Sequence, residues 1–183
     1  MSVQVQTRTT IEDLYAVEGK AEIINGEVVH FMATGLQPGR AAGRIFRSLG
    51  NYEDEYGGGY ALPDNVGFHV DLPNRTSFSP DVAWYSGKDT GMKFPEGAPA
   101  FAVEVRSEND YGRAAESAMV AKRHDYFAAG TLVVWDVDLL SDEVVRCYRW
   151  DDPDQPIIYQ RSELADAEPA VPGWCFKIDD LFR

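Results

Sequence analysis

Apolar and polar positions recur along the chain with two different periods, and each change of period marks an element. Ala21-Glu22-Ile23-Ile24 and Glu27-Val28-Val29-His30-Phe31 flank Asn25-Gly26, and two strand-like runs joined by Asn-Gly predict a β-hairpin. From about Pro38 to Tyr56, Ala42, Ile45, Phe46, Leu49 and Tyr52 return at three- and four-residue steps. That spacing predicts a long helix, stopped by Gly57-Gly58-Gly59. Upstream, Thr10-Ile11-Glu12-Asp13-Leu14 predicts a short helix with Thr10 as N-cap and two acids in the first turn, where the helix dipole favours them. Tyr60-Ala61-Leu62, residues 66–72 and Val82-Ala83-Trp84-Tyr85 read as strands, and their short connections predict neighbours in one sheet.

Ala100-Phe101-Ala102-Val103-Glu104-Val105 reads as a largely buried strand. Its alternation sends Phe101, Val103 and Val105 to one face and Ala102, Glu104 and Arg106 to the other. An alanine-rich helix follows from about Gly112 to Ala129 and ends at Gly130. Further strands are predicted at 132–137 and 143–150, and a proline-rich tail is expected to cover one sheet edge. The succession of hairpin, helix, strands, helix and strands predicts an α/β fold around one central sheet.

Composition narrows the picture. The 183 residues are 44% hydrophobic and 26% charged, the balance of one globular domain spanning 1–183. Seventeen Lys and Arg against thirty Asp and Glu leave a net charge of −13, so the molecule as a whole repels polyanions. Nucleic-acid contact then requires a local basic patch or a bound cation. Arg40, Arg44 and Arg47, at i, i+4, i+7, form either such a stripe or the solvent face of the first long helix. Cys147 and Cys175 have neither disulfide-scaffold density nor a CxxC spacing, which fits a reducing compartment. Residues 1–8 lack the pattern of a secretory signal and no apolar run approaches ~18 residues. A cytoplasmic location is the expectation. No internal repeat or low-complexity tract is present.

Three ionisable residues stand where charge is expensive. Asp81 opens a strand directly after Pro80, Glu104 lies between Val103 and Val105, and Lys122 shares a helical stripe with Ala118 and Tyr126 that leans toward the sheet. Each has a structural alternative. Asp81 can cap a turn, Glu104 can pair with Arg106 or Lys122 without doing chemistry, and Lys122 can snorkel its amine to water. Together they suggest more. Two carboxylates on adjacent strands can share a hard divalent cation, since Mg²⁺ commonly uses one or two carboxylates plus water and phosphate. A neighbouring lysine can orient the attacking water and help deprotonate it, and this is the minimum equipment for metal-assisted phosphodiester hydrolysis.

Ser79-Pro80-Asp81-Val82-Ala83, Phe101 through Ser107, Lys122 with Tyr126 and Gly130, and Val133-Val134-Trp135-Asp136-Val137 resemble the bacterial Uma-two family of restriction-endonuclease-like proteins. Residues Ala21 to Glu27 resemble its "yElidGe" opening. The likeness runs from about Leu14 to Tyr148. That family is grouped with the PD-(D/E)xK nucleases, so the resemblance implies a restriction-endonuclease-like core: a central mixed sheet flanked by helices, with an N-terminal β-hairpin, a divalent metal, Mg²⁺ or Mn²⁺, and cleavage of DNA. Carried over by residue, Asp81 is the Asp of the PD motif and Glu104 the acid of (D/E)xK, both metal ligands, with the backbone carbonyl of Val105 as a further oxygen. The position two after the acid is Arg106, whose guanidinium cannot act as a base. The lysine of the motif corresponds here to Lys122 on the following helix. A histidine frequent near the start of the first long helix in that family is replaced by Pro38-Gly39-Arg40.

His30, His69 and His124 form no ligand cluster, Gly57-Gly58-Gly59 lacks the GK[ST] of a P-loop, and Asp151, Asp152 and Asp154 read as a solvated loop. The leading expectation is a metal-dependent endonuclease acting through Asp81, Glu104 and Lys122 on nucleic acid, as a possible homodimer. The alternatives are a non-catalytic nuclease-like binding or assembly module, and hydrolysis of a small phosphate ester at the same site.

Overall fold

The computed structural model describes residues 9–183; the amino-terminal stretch read above for a secretory signal lies outside the described residues. Thr10 caps the short helix α1 (Ile11–Leu14), its side chain accepting from the Asp13 N–H while the Asp13 carboxylate returns to the Thr10 N–H, a capping box. The hairpin forms as predicted, with β1 (Ala21–Ile24) and β2 (Glu27–His30) joined by Asn25 and Gly26 at φ 53 and 79. Both values lie in the left-handed region that a tight hairpin turn requires.

The long helix α2 (Leu36–Tyr56) buries Ala41, Ala42, Ile45 and Leu49. After it come β3 (Tyr60–Leu62), β4 (Phe68–Leu72), β5 (Arg75–Phe78), β6 (Val82–Tyr85) and β7 (Phe101–Val105). Helix α3 (Arg113–Ala128) leads to β8 (Val133–Val137), β9 (Val145–Arg149) and β10 (Asp152–Tyr159), and the chain closes with β11 (Leu164–Asp166), β12 (Cys175–Lys177) and a 3₁₀ turn at Ile178–Phe182. Gly59, just before β3, lies so close to the Trp84 indole that an added Cβ would meet the ring at 2.7 Å. The third glycine of the Gly57-Gly58-Gly59 run is therefore a packing position as well as part of a turn.

The strands do not form one sheet. A six-stranded sheet runs β10-β9-β8-β7-β6-β3, and a separate four-stranded sheet runs β2-β1-β5-β4. Of the strands expected to be neighbours, β3 and β6 pair in the first, whereas β4 pairs with β5 in the second. The larger sheet is mixed: β7 and β8 are parallel and the other pairs antiparallel. A parallel pair needs a long crossover, which α3 supplies. Helix α2 covers one face, where its apolar stripe meets Val82, Phe101, Val103 and Trp135, while Phe68, Phe78, Ala102, Val134 and Tyr126 form the core on the other. The tail does more than cover an edge. β10 extends the sheet beyond β9, and Trp174, Phe176, Ile178 and Leu181 pack over the α2 face. Asp152 and Asp154 fall within β10 rather than a loop, and both are exposed. Among the described residues no helix is long and apolar enough to cross a membrane.

Candidate active site

Strands β6 and β7 run antiparallel with Val82 opposite Val103, and the Asp81 N–H donates to the Val103 carbonyl at 3.0 Å. This pairing brings the acid that precedes β6 beside the acid within β7. Asp81 does not cap a local turn: its Oδ2 accepts from the Val105 N–H at 2.8 Å, across the strand pair. Its Oδ1 receives Lys20 Nζ at 2.6 Å, and the same ammonium reaches Asp64 Oδ1 at 2.7 Å.

Glu104 faces α3, as the alternation of β7 requires. Its Oε1 accepts from the Tyr126 hydroxyl at 2.6 Å and meets Lys122 Nζ at 2.8 Å. Lys122 also contacts Glu22 Oε1 at 2.9 Å. Glu22 is 0% exposed within β1; it accepts from the Ser79 N–H at 2.9 Å and pairs with Arg75, whose Nε lies 2.8 Å from Asp125. Lys122 and Tyr126 thus turn inward one helical turn apart, as expected, whereas Ala118 on the same stripe is exposed. Arg106 does not pair with Glu104. It forms a two-point bond with Asp136 at 2.8 and 2.7 Å and a second with Glu116.

The electrostatics follow from this arrangement. Burial pushes the Glu104 carboxyl above its ordinary value and the nearby Asp81 charge adds to the rise, although Lys122 and Lys20 oppose it. Burial alone would lower the Lys122 amine, but Glu104 and Glu22 outweigh it and hold the group above its usual value. Lys20 is raised in the same way, with Asp81, Glu104 and Asp64 offsetting its burial. Glu104 and Glu22 thus favour the charged amine, a form that can orient water and stabilise negative charge.

The sequence reading did not assign roles to Glu22, Lys20 and Asp64. Glu22 was legible in principle, because an acid between Ala21 and Ile23 repeats the signal that singled out Glu104. Lys20 and Asp64 come from loops far apart in sequence. The arginine stripe resolves differently, since Arg40 and Arg44 both donate to the main-chain oxygen of Arg183. His69 pairs with Glu96 and His124 with Asp154, and both cysteines are free.

Among the described residues no group of three or more His, Cys, Asp or Glu is arranged to hold a metal ion. The bridged network still suits a hard cation. The carboxylates of Glu22, Asp64, Asp81, Glu104 and Asp125 face the cations of Lys20, Arg75 and Lys122, so five negative charges against three positive leave an excess of two. One divalent ion carries that charge, and Mg²⁺ asks for only one or two of the carboxylates.

The structure is similar to the crystal structure of a putative nuclease from Anabaena variabilis ATCC 29413, with a TM-score of 0.72 over 94% of this chain and 97% of that one, at 15% identity, and the two share a fold. Residues 10–179 match the family model Uma2, described as "putative restriction endonuclease", and the chain belongs to that family. No curated protein matches it.

Proposed function

We propose that this protein is an endonuclease that hydrolyses phosphodiester bonds in DNA with the help of a divalent cation, Mg²⁺ or Mn²⁺. The observation that carries the reading is that the β6–β7 pairing sets Asp81 across from Glu104, close enough for its charge to act on that carboxyl, while Lys122 of α3 meets Glu104 at 2.8 Å.

In this reading the carboxylates of Asp81 and Glu104 hold the cation. The carbonyl of Val105 is a third oxygen: its N–H already points at Asp81, and in an extended strand both groups of one residue face the same neighbour. When bound, the ion neutralises phosphate charge and lowers the pKa of a coordinated water. Lys122 then orients that water or the scissile phosphate as a protonated donor. Glu22 and Tyr126 keep its amine and the Glu104 carboxylate in register, and Lys20 holds Asp81. The net charge of −13 makes duplex binding salt-sensitive and dependent on the cation itself.

The alternative of a non-cleaving module draws on one observation, the occupation of both Asp81 oxygens by Lys20 and the Val105 N–H. Cleavage of supercoiled plasmid and single-stranded DNA in Mg²⁺ and in Mn²⁺ separates the two. The wild-type protein is expected to cut, with Asp81→Asn, Glu104→Gln and Lys122→Ala each reduced by about a hundredfold or more. Equal activity in all four proteins, or none in the wild type with either metal, would overturn the proposal.

A further inference from the structure

A cavity opens beside the candidate active site, on the same face of the six-stranded sheet. Glu104 and Asp136 are register partners on β7 and β8, and the Asp136–Arg106 pair forms the near wall of a cavity of about 330 Å³. Sites that hold a small organic ligand span roughly 300–1,000 Å³, so this one exceeds what a bare ion needs. Its far wall is Arg123 from α3, 8% exposed, with the guanidinium carbon 3.7 Å from the centre of the Tyr148 ring.

Arg123 is unlike the other buried cations. Arg75, Arg106 and Lys122 each meet two carboxylates, whereas among the described residues Arg123 meets none within 4 Å. Among the described residues its side chain makes one hydrogen bond, from Nε to the Pro153 carbonyl at 3.3 Å, and it lines the cavity. A buried charge requires compensation, and a guanidinium fork stacked on an aromatic ring is preorganised for a planar or tetrahedral oxyanion. Arg146 stands on the same wall and is loosely engaged, 3.1 Å from the half-exposed Glu143 and 3.9 Å from Asp136. The three acids of the cavity are already occupied: Asp136 and Glu116 by Arg106, and Asp138 by the Tyr111 hydroxyl and the Leu140 N–H. Tyr111, Met119 and Val120 add an apolar surface on which a flat ring can lie.

We propose that this cavity binds a phosphorylated ligand of nucleoside monophosphate size, with the phosphoryl group on Arg123 and Arg146 and the ring against Tyr111 and Met119. The phosphoryl group can belong to a free nucleotide or to the 5′ end of a nucleic-acid strand.

Calorimetric titration of the full chain in EDTA, with 2′-deoxyadenosine 5′-monophosphate and with inorganic phosphate, tests the site apart from any metal. The nucleotide is expected to bind once per chain and more tightly than phosphate. Arg123→Met and Arg146→Gln should each weaken it at least tenfold, while Glu104→Gln leaves it unchanged; that last result keeps the test independent of the nuclease reading. If Arg123→Met does not fold, Arg123→Lys and Arg146→Gln carry the same comparison. Equal nucleotide affinity in the wild type and the arginine variants, no binding, or phosphate binding as tightly as the nucleotide would overturn the proposal. Arginine-dependent binding of a 5′-phosphorylated oligonucleotide, absent for its 5′-hydroxyl counterpart, assigns the pocket to strand ends. Nucleotide binding without it assigns the pocket to a free nucleotide.

Discussion

On the α2 side of the six-stranded sheet, Phe101, Val103 and Val105 meet Trp135, Trp174 and Phe176 in an apolar core. On the α3 side, the alternate positions of the same strand, Glu104 and Arg106, meet Lys122, Asp136 and Glu116. The two faces share a backbone and differ in what holds them. Burying one large apolar side chain stabilises by about 1.5–3 kcal/mol, whereas a buried ion pair roughly breaks even against its desolvation. Stability therefore accounts for the first face and leaves the second unexplained. Charge held on this face for so little stability fits the proposed role of Glu104 and Lys122.

Substitutions on the two faces should differ in kind. The largest effect belongs to the apolar face. Trp135, 0% exposed, cut back to alanine should lower the unfolding free energy by about 4 kcal/mol, read from the urea midpoint, while the folded fraction retains its cleavage rate. Glu22→Ala should cost about 3 kcal/mol, because Arg75 keeps Asp125 and Lys122 keeps Glu104; unlike the tryptophan variant, it should also lose cleavage.

Glu104→Gln should move stability the other way. Burial and the Asp81 charge raise the Glu104 carboxyl, so the neutral form suits the folded state. The stability it lends is complete below the ordinary glutamate value of about 4.3 and is lost as pH rises through the higher folded value. At neutral pH in EDTA the glutamine variant is expected to be more stable than the wild type, and inactive. Urea melts across pH 4–8 check this, and a destabilised variant would contradict it. The smallest effect lies far from both sites. Burial of Asp166 is outweighed by the Glu168 N–H, the Tyr159 hydroxyl and Arg149, which hold its carboxyl below the usual range. Its contribution is present above about pH 3.9 and lost as pH falls through the lower folded value. Asp166→Asn should cost less than about 1 kcal/mol at neutral pH, with the difference fading in acid.

The same contrast sets what could be read from the sequence. The α2 face was legible because its elements keep a strict period, as in β7 and in the helical stripe from Ala42 to Tyr52. Glu104 was legible as an exception to that period, and Lys122 by its place beside Tyr126 on one stripe. Strand β5 was not: Arg75 and Ser77 are polar yet buried, the arginine by Glu22 and Asp125 and the serine by accepting from the Ile23 N–H. Partners from distant segments erase the alternation that would have marked the strand. For the same reason the separate four-stranded sheet went unseen, and with it Lys20 and Asp64, whose meeting at Asp81 depends on loops folding back. The packing of Trp174 and Phe176 on the sheet face reflects long-range burial that a proline-rich tail does not announce.

The most direct test is the melting temperature of the wild type, Asp81→Asn and Glu104→Gln with and without Mn²⁺. Ion binding to the folded state at a hundred times its dissociation constant adds about 2.7 kcal/mol, so the wild type should melt several degrees higher in Mn²⁺ while both variants stay where they were in EDTA. A wild-type protein indifferent to Mn²⁺ and to Mg²⁺, or a rise of the same size in all three proteins, would contradict the account.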